Sequence, residues 1–174
     1  MTAPSDRPNP PLVVLGLDPG SRVTGYGLVR DDGGRLVFVD AGVISLGAAD
    51  MAARLGRIHT ELSALIVRHC PVEAALENVF VSRNTMSAIK LGQARGAAMA
   101  ACAVAGLPVA SYEPTVVKKA VVGVGRADKD QVAFMIARVL GVSGRLPADA
   151  SDALAVAVCH LNERRMRRLT GCVK

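Results

Sequence analysis

Apolar residues recur along the chain with two different periods, and the change of period divides the chain into elements. Residues 12–18 form a short apolar run closed by Pro19-Gly20, and two further apolar, β-branched stretches follow at 24–30 and 35–44, separated by Asp31-Asp32-Gly33-Gly34. Runs of this length bounded by turn residues predict a three-strand antiparallel meander. From Met51 the spacing becomes three or four, with Leu55, Ile58, Leu62 and Leu65 in register and Arg54, Arg57 and Arg68 off it. An amphipathic helix ending before Pro71 is expected.

Residues 74–76 then lead into Glu77 as a buried strand, and 83–105 read as a long helix rich in Ala and Gly. A strand at 108–112 and helices near 114–121, 129–140 and 149–168 complete the order β-β-β-α-β-α-β-α-α-α. Hairpins followed by alternating β and α predict an α/β fold, a mixed five-stranded sheet with helices on both faces.

At 174 residues and 51% hydrophobic content the chain has room for one sizeable core, so a single domain over 12–168 is expected. The first eleven residues hold four prolines among polar residues and read as a disordered tail, with 169–174 as a short C-terminal one. They lack the apolar core of a secretory signal. The longest apolar run, 96–110, is too short to cross a bilayer.

Charge changes the picture more. Twenty-one Lys and Arg against fifteen Asp and Glu give a net charge of +6, which favours a polyanionic partner such as nucleic acid, although a basic soluble protein has the same balance. Cys70, Cys102, Cys159 and Cys172 are scattered, without a CxxC pair or zinc spacing. They read as reduced thiols, three of them packed in apolar helices, as suits a cytoplasmic protein.

The acids carry the candidate chemistry. Asp18 stands where an apolar strand meets a Pro-Gly turn, at the strand end where α/β sheets usually bind ligands. Glu77 ends its strand in the same way, and the two carboxylates converge if the strands are neighbours. Asp149 and Asp152 are three apart at a helix start, hence on one face of its first turn. Four such carboxylates raise one another's pKa unless cations neutralise them. Mg²⁺ or Mn²⁺ suits carboxylate oxygen, and two such ions roughly 4 Å apart can serve both the attacking and leaving oxygens of a phosphodiester. Each acid also has a plainer reading: Asp18 as a turn residue, Asp149 as an N-cap, Asp152 as a charge against the helix dipole. Glu77 resists one, because an acid after Ala-Ala-Leu in a buried strand is costly unless paired, bonded or bound to metal.

The run Leu15-Gly16-Leu17-Asp18-Pro19-Gly20-Ser21-Arg22-Val23-Thr24-Gly25-Tyr26-Gly27 resembles the opening of the RuvC family of Holliday-junction resolvases. Glu77-Asn78-Val79-Phe80, the run from Lys90 to Gly96 and the run from Ala148 to Ala155 agree with it in order and spacing. The resemblance extends from about Leu12 to His160. Gly-x-Asp-x-Gly alone also opens the phosphate-binding hairpin of sugar kinases, but that architecture needs two lobes and this chain has room for one.

The resemblance implies an RNase H-like fold, a two-fold symmetric homodimer, and resolution of four-way DNA junctions by paired nicks in recombination and repair. It implies two divalent cations per subunit, Mg²⁺ or Mn²⁺, held by Asp18, Glu77, Asp149 and Asp152. The branch-migration proteins RuvA and RuvB are its expected partners. Asp149 falls where some relatives carry His. Lys118 and Lys129 match basic positions near the scissile phosphate, and Arg126, Arg83, Lys119 and Arg95 extend a positive rim, with the alternative that such residues are simply solvated. Phe80 resembles the family's base-wedging aromatic, where a strand-end Phe is otherwise more often core. Gly92, Gly96, Ala100 and Ala103 line one side of the long helix, open either to a second subunit or to the chain's own sheet. The terminal Arg164, Arg165, Arg167, Arg168 and Lys174 read as a solvated helix end, with DNA contact as the alternative.

Overall fold

The computed structural model describes residues 12–78 and 85–171. The elements follow the expected order: β1 (Leu12–Asp18), β2 (Val23–Asp32), β3 (Arg35–Ser45), α1 (Met51–His69), β4 (Glu73–Glu77), α2 (Thr85–Val104), β5 (Val109–Tyr112), α3 (Pro114–Val122), α4 (Lys129–Leu140) and α5 (Ala148–Leu169). The strands form one mixed sheet in the order β3-β2-β1-β4-β5. The meander β1-β2-β3 is antiparallel, whereas β4 pairs parallel with β1 and β5 parallel with β4.

β1 is central, which explains its unbroken apolar run: both of its faces are covered. Leu15 and Leu17 point into a core shared with Ile58, Leu62 and Leu65 of α1 and Ala94, Ala98 and Ala101 of α2. Val14 points to the opposite face, into a core built with α3, α4 and α5. Side chains alternate along a strand, so Asp18 shares the α5 face with Val14 and Gly16. In β4, Ala74 and Leu76 take the first face and Ala75 the second, which places Glu77 on the α5 face as well.

α5 is buried from Ala150 through Leu161 except at Asp152, wedged between the sheet and α3 and α4. A helix apolar on all sides is the pattern of such a central position. It lies unusually close to the sheet because β1 and β2 offer glycines there. A Cβ on Gly16 would overlap the carbonyl oxygen of Ala153, one on Gly25 would overlap that of Asp149, and one on Gly27 would stand 2.8 Å from the backbone nitrogen of Leu154. Glycine inside a strand marks close backbone approach.

Three of the terminal arginines are bonded back onto the fold, while Arg168 is exposed as expected of a solvated helix end and Lys174 lies outside the described residues. Arg164 pairs with Glu73, Arg165 donates to the Gly34 carbonyl at 3.3 Å, and Arg167 donates to the Tyr112 hydroxyl at 3.3 Å. Beneath them His160 lies between Glu73 Oε2, at 2.6 Å from Nε2, and the Tyr112 hydroxyl, at 2.8 Å from Nδ1. Burial, with Arg167 nearby, pushes the His160 pKa down to about 4. The imidazole is therefore neutral: Nε2–H donates to Glu73, whose charge Arg164 already balances, and Nδ1 accepts from the tyrosine. These bonds clamp the end of α5 to the β2–β3 turn, β4 and β5.

Cys102 and Cys159 are buried as expected, and burial raises their pKa to about 11 and about 12. Cys70 is not packed in a helix: it is exposed, in the left-handed conformation that ends α1, with its N–H on the Ile66 carbonyl. Cys172 lies outside the described residues. Among the described residues no helix is long and apolar enough to cross a membrane.

Candidate active site

Four acids expected from sequence meet at the carboxyl ends of β1 and β4. Leu17 pairs with Leu76 in the parallel ladder, so Asp18 and Glu77 are the next residues on adjacent strands, about 4.8 Å apart in the strand spacing. The first turn of α5 crosses these strand ends, since Gly25, the ladder partner of Asp18, meets the Asp149 backbone. Asp149 and Asp152 are thereby delivered to Asp18.

The N-cap of α5 is Pro147, without a side-chain cap bond. Asp149 therefore does not cap the helix, and that plainer reading fails. Asp149 is instead the first-turn acid of a helix whose amide groups carry partial positive charge.

The acids act on one another's charge. Burial, followed by the charges of Asp152, Glu77 and Asp149, pushes the Asp18 pKa up to about 7, against a weaker opposing pull from Lys129. Glu77 is raised as well, first by burial and then by Asp152, with Lys129 and Lys118 opposing. Lys129 Nζ stands 2.8 Å from Asp152 Oδ2, and this bond holds the ammonium proton and raises the lysine pKa. Lys129 opens α4, where Asp128 and Gln131 form a reciprocal capping box, so a firmly started helix presents the lysine to the acids.

Among the described residues no three His, Cys, Asp or Glu side chains are drawn into a closed metal-ligating group. The site is a set of mutually repelling carboxylates with the Lys129 ammonium bonded to one of them and Lys118 nearby. Its chemistry fits hard divalent cations: the donors are carboxylate oxygens, and the cost of their mutual repulsion is what a cation removes.

The other candidates divide. Lys118 on α3 is half-buried and near enough to pull on Glu77. Arg126 is exposed in the connection that leads to Lys129. Lys119 lines a separate groove with Thr115, Asn162 and Met166, away from the acids. Phe80 and Arg83 lie outside the described residues. Arg95 is not a free rim cation: its guanidinium is bonded to Asn78, Ser111, Met99 and the Glu77 carbonyl. Sequence reasoning missed this bracket, and also missed that Gly25 and Gly16 seat α5; their signal was glycine inside strands otherwise rich in apolar residues.

A mixed sheet with an acid cluster at its carboxyl edge and a buried helix supplying half of it defines an RNase H-like nuclease architecture. Comparison with known proteins agrees. The family described as "Crossover junction endodeoxyribonuclease RuvC" matches residues 14–160. The RuvC of Solidesulfovibrio magneticus is 62% identical over 160 residues, covering 91% of this chain and 95% of its own. That of Nitratidesulfovibrio vulgaris is 51% identical, covering 92% and 96%. Thermus thermophilus RuvC in complex with Holliday junction substrate superposes with a TM-score of 0.84 at 35% identity, covering 89% of this chain and 96% of that one. The yeast mitochondrial Holliday junction resolvase Ydc2 shares the fold, with a TM-score of 0.69 at 12% identity and coverage of 94% and 83%. This chain belongs to the RuvC family of crossover junction endodeoxyribonucleases.

Proposed function

We propose that this protein resolves four-way DNA junctions by hydrolysing phosphodiesters at the cleft of Asp18, Glu77, Asp149 and Asp152, with two divalent ions, Mg²⁺ or Mn²⁺, held by those carboxylates. The observation that carries the reading is the placement of Asp18 and Glu77 at the ends of adjacent parallel strands with the first turn of α5 packed across them; burial and the charges of the other three acids raise the Asp18 pKa to about 7 in keeping with it. When bound, the ions supply an activated water and neutralise charge on the departing oxygen. The residues of the chain do the rest. Asp18, with Glu77 beside it on β4 and Asp149 and Asp152 beside it on α5, would hold the ions together with those three acids. Lys118 and Lys129, with Arg126 further out, hold phosphate beside the acids, Lys129 exchanging its bond to Asp152 for one to the DNA. Water oxygen bonds to phosphorus as the bond to the 3′ oxygen breaks, leaving 5′-phosphate and 3′-hydroxyl ends.

Paired nicks call for two identical sites related by a two-fold axis. The open side of α2 supports a homodimer. A Cβ on Gly92 or Gly96 would meet nothing within 4 Å, and the helix packs on its own sheet through Ala94, Ala98, Ala101 and Cys102 instead. The small-residue stripe is thus free of the chain's own core, with Met86 and Ile89 exposed nearby.

A synthetic four-way junction incubated with Mg²⁺, Mn²⁺ or EDTA tests the proposal. Symmetric nicks with metal and none in EDTA are expected. Cutting in EDTA, or equal cutting of linear duplex, would overturn it.

A further inference from the structure

We infer that Arg95 is a positioning residue for the active site: through a bracket with Asn78, Ser111 and Glu113 it fixes the end of β4 and so sets where the Glu77 carboxylate stands. The inference rests on Glu77 being a metal ligand.

Glu77 is the last residue of its strand. Beyond it, among the described residues, the ladder adds a backbone bond from the Asn78 N–H to the Tyr112 carbonyl at 2.8 Å. A metal ligand at a strand end also needs support from the groups that orient it. Arg95 supplies that support from α2. Its Nε points at the Glu77 carbonyl at 3.4 Å, and one terminal nitrogen donates to Asn78 Oδ1 at 3.1 Å and to Ser111 Oγ at 2.7 Å. The other lies 3.2 Å from Met99 Sδ, one turn along the same helix. A planar guanidinium with several donors in fixed directions suits this task, and a lysine could not reproduce it.

The bracket continues beyond Arg95. Asn78 is oriented from both ends, because its Nδ2 donates to Glu113 Oε1 at 2.8 Å while its Oδ1 accepts from Arg95. Glu113 is the N-cap of α3 yet makes no capping bond with its side chain; the carboxylate is turned to Asn78 instead. The helix that Glu113 opens carries Lys118, whose charge acts on Glu77. One connected set of bonds therefore ties α2, the ends of β4 and β5, and the start of α3 around the ligand-bearing residue.

Charge and position make opposite predictions when Arg95 is removed. If Arg95 acted only as a nearby cation, its loss would leave the acids more negative and divalent metal would bind more tightly. If it positions Glu77, metal binds more weakly. Mn²⁺ titrations by calorimetry without DNA on R95A, R95K, N78A and E77Q, beside the unaltered protein, separate the two. R95A and N78A should bind Mn²⁺ about 10- to 100-fold more weakly and cut junctions correspondingly slowly, with junction affinity within about two-fold of the original. R95K, which keeps the charge without the fork, should restore less than half of the lost activity. Should R95A fail to fold, N78A and R95K carry the test. Unchanged or tighter Mn²⁺ binding by R95A and N78A, with E77Q impaired, would overturn the positioning role and leave the ligand reading standing. Unimpaired binding by E77Q would overturn the ligand reading and this inference with it.

Discussion

Replacing Asp18 by Asn should stabilise the metal-free protein, and the gain should grow with pH. In the unfolded chain the Asp18 carboxyl loses its proton near 3.8, and in the folded chain near 7. Between those values the folded state binds more protons, so stability falls as pH rises from about 4 to about 7 and is level above. Each tenfold change in proton affinity is worth about 1.4 kcal/mol, which sets a ceiling on the order of 4 kcal/mol for the stability lost by pH 8. Screening by salt and relaxation of the side chain reduce this to about 2 kcal/mol. Because the acids are coupled, the difference between the two proteins reports Asp18 together with the relief its loss gives Glu77, Asp149 and Asp152, and all of these act in the same direction. Urea unfolding in EDTA at pH 4 and pH 8 measures it: D18N and the unaltered chain should be nearly equal at pH 4 and separate at pH 8. Adding Mg²⁺ at pH 8 should stabilise the unaltered protein more than D18N. A D18N advantage independent of pH, or equal stabilisation of both by Mg²⁺, would refute the electrostatic reasoning.

Three other changes probe different parts of the account. G25A should cost about 1 to 3 kcal/mol by thermal or urea unfolding, because its Cβ would overlap the Asp149 carbonyl oxygen; by pushing α5 off the sheet it should also abolish cleavage, and intact cleavage would contradict the seating of α5. K129A should leave stability within about 1 kcal/mol, as expected of an exposed ion pair. It should slow cutting and flatten the salt dependence of junction binding by about one phosphate contact, an unchanged slope counting against that role. F80A should fold normally yet cut slowly if the ring stacks on a base, and a large drop in melting temperature would identify it as core.

Much of this architecture was legible because β1 is an apolar run covered on both faces and the helices carry clear periods. Glu77 was legible for a related reason, since an acid following three buried small or apolar residues has few stable environments. Asp149 was ambiguous from sequence because Asp is equally at home at a helix start as a cap, and the position of Pro147 removed that reading; Asp152 was ambiguous because an acid near a helix start also suits the helix dipole. Arg95 and the arginines at the end of α5 looked like free cations because their partners, Asn78, Ser111, Glu73, Gly34 and Tyr112, are distant in sequence. Gly16, Gly25 and Gly27 could be seen as unusual strand residues, but what lay against them depended on the packing of α5.

Four carboxylates from β1, β4 and α5 are proposed to hold the metal ions used for cutting. Anomalous diffraction from crystals soaked in Mn²⁺ tests it most directly. Two peaks enclosed by Asp18, Glu77, Asp149 and Asp152 are expected, with Lys129 released from Asp152. Saturating Mn²⁺ that leaves this cleft without a peak, in protein that still cuts junctions with Mn²⁺ in solution, would contradict it.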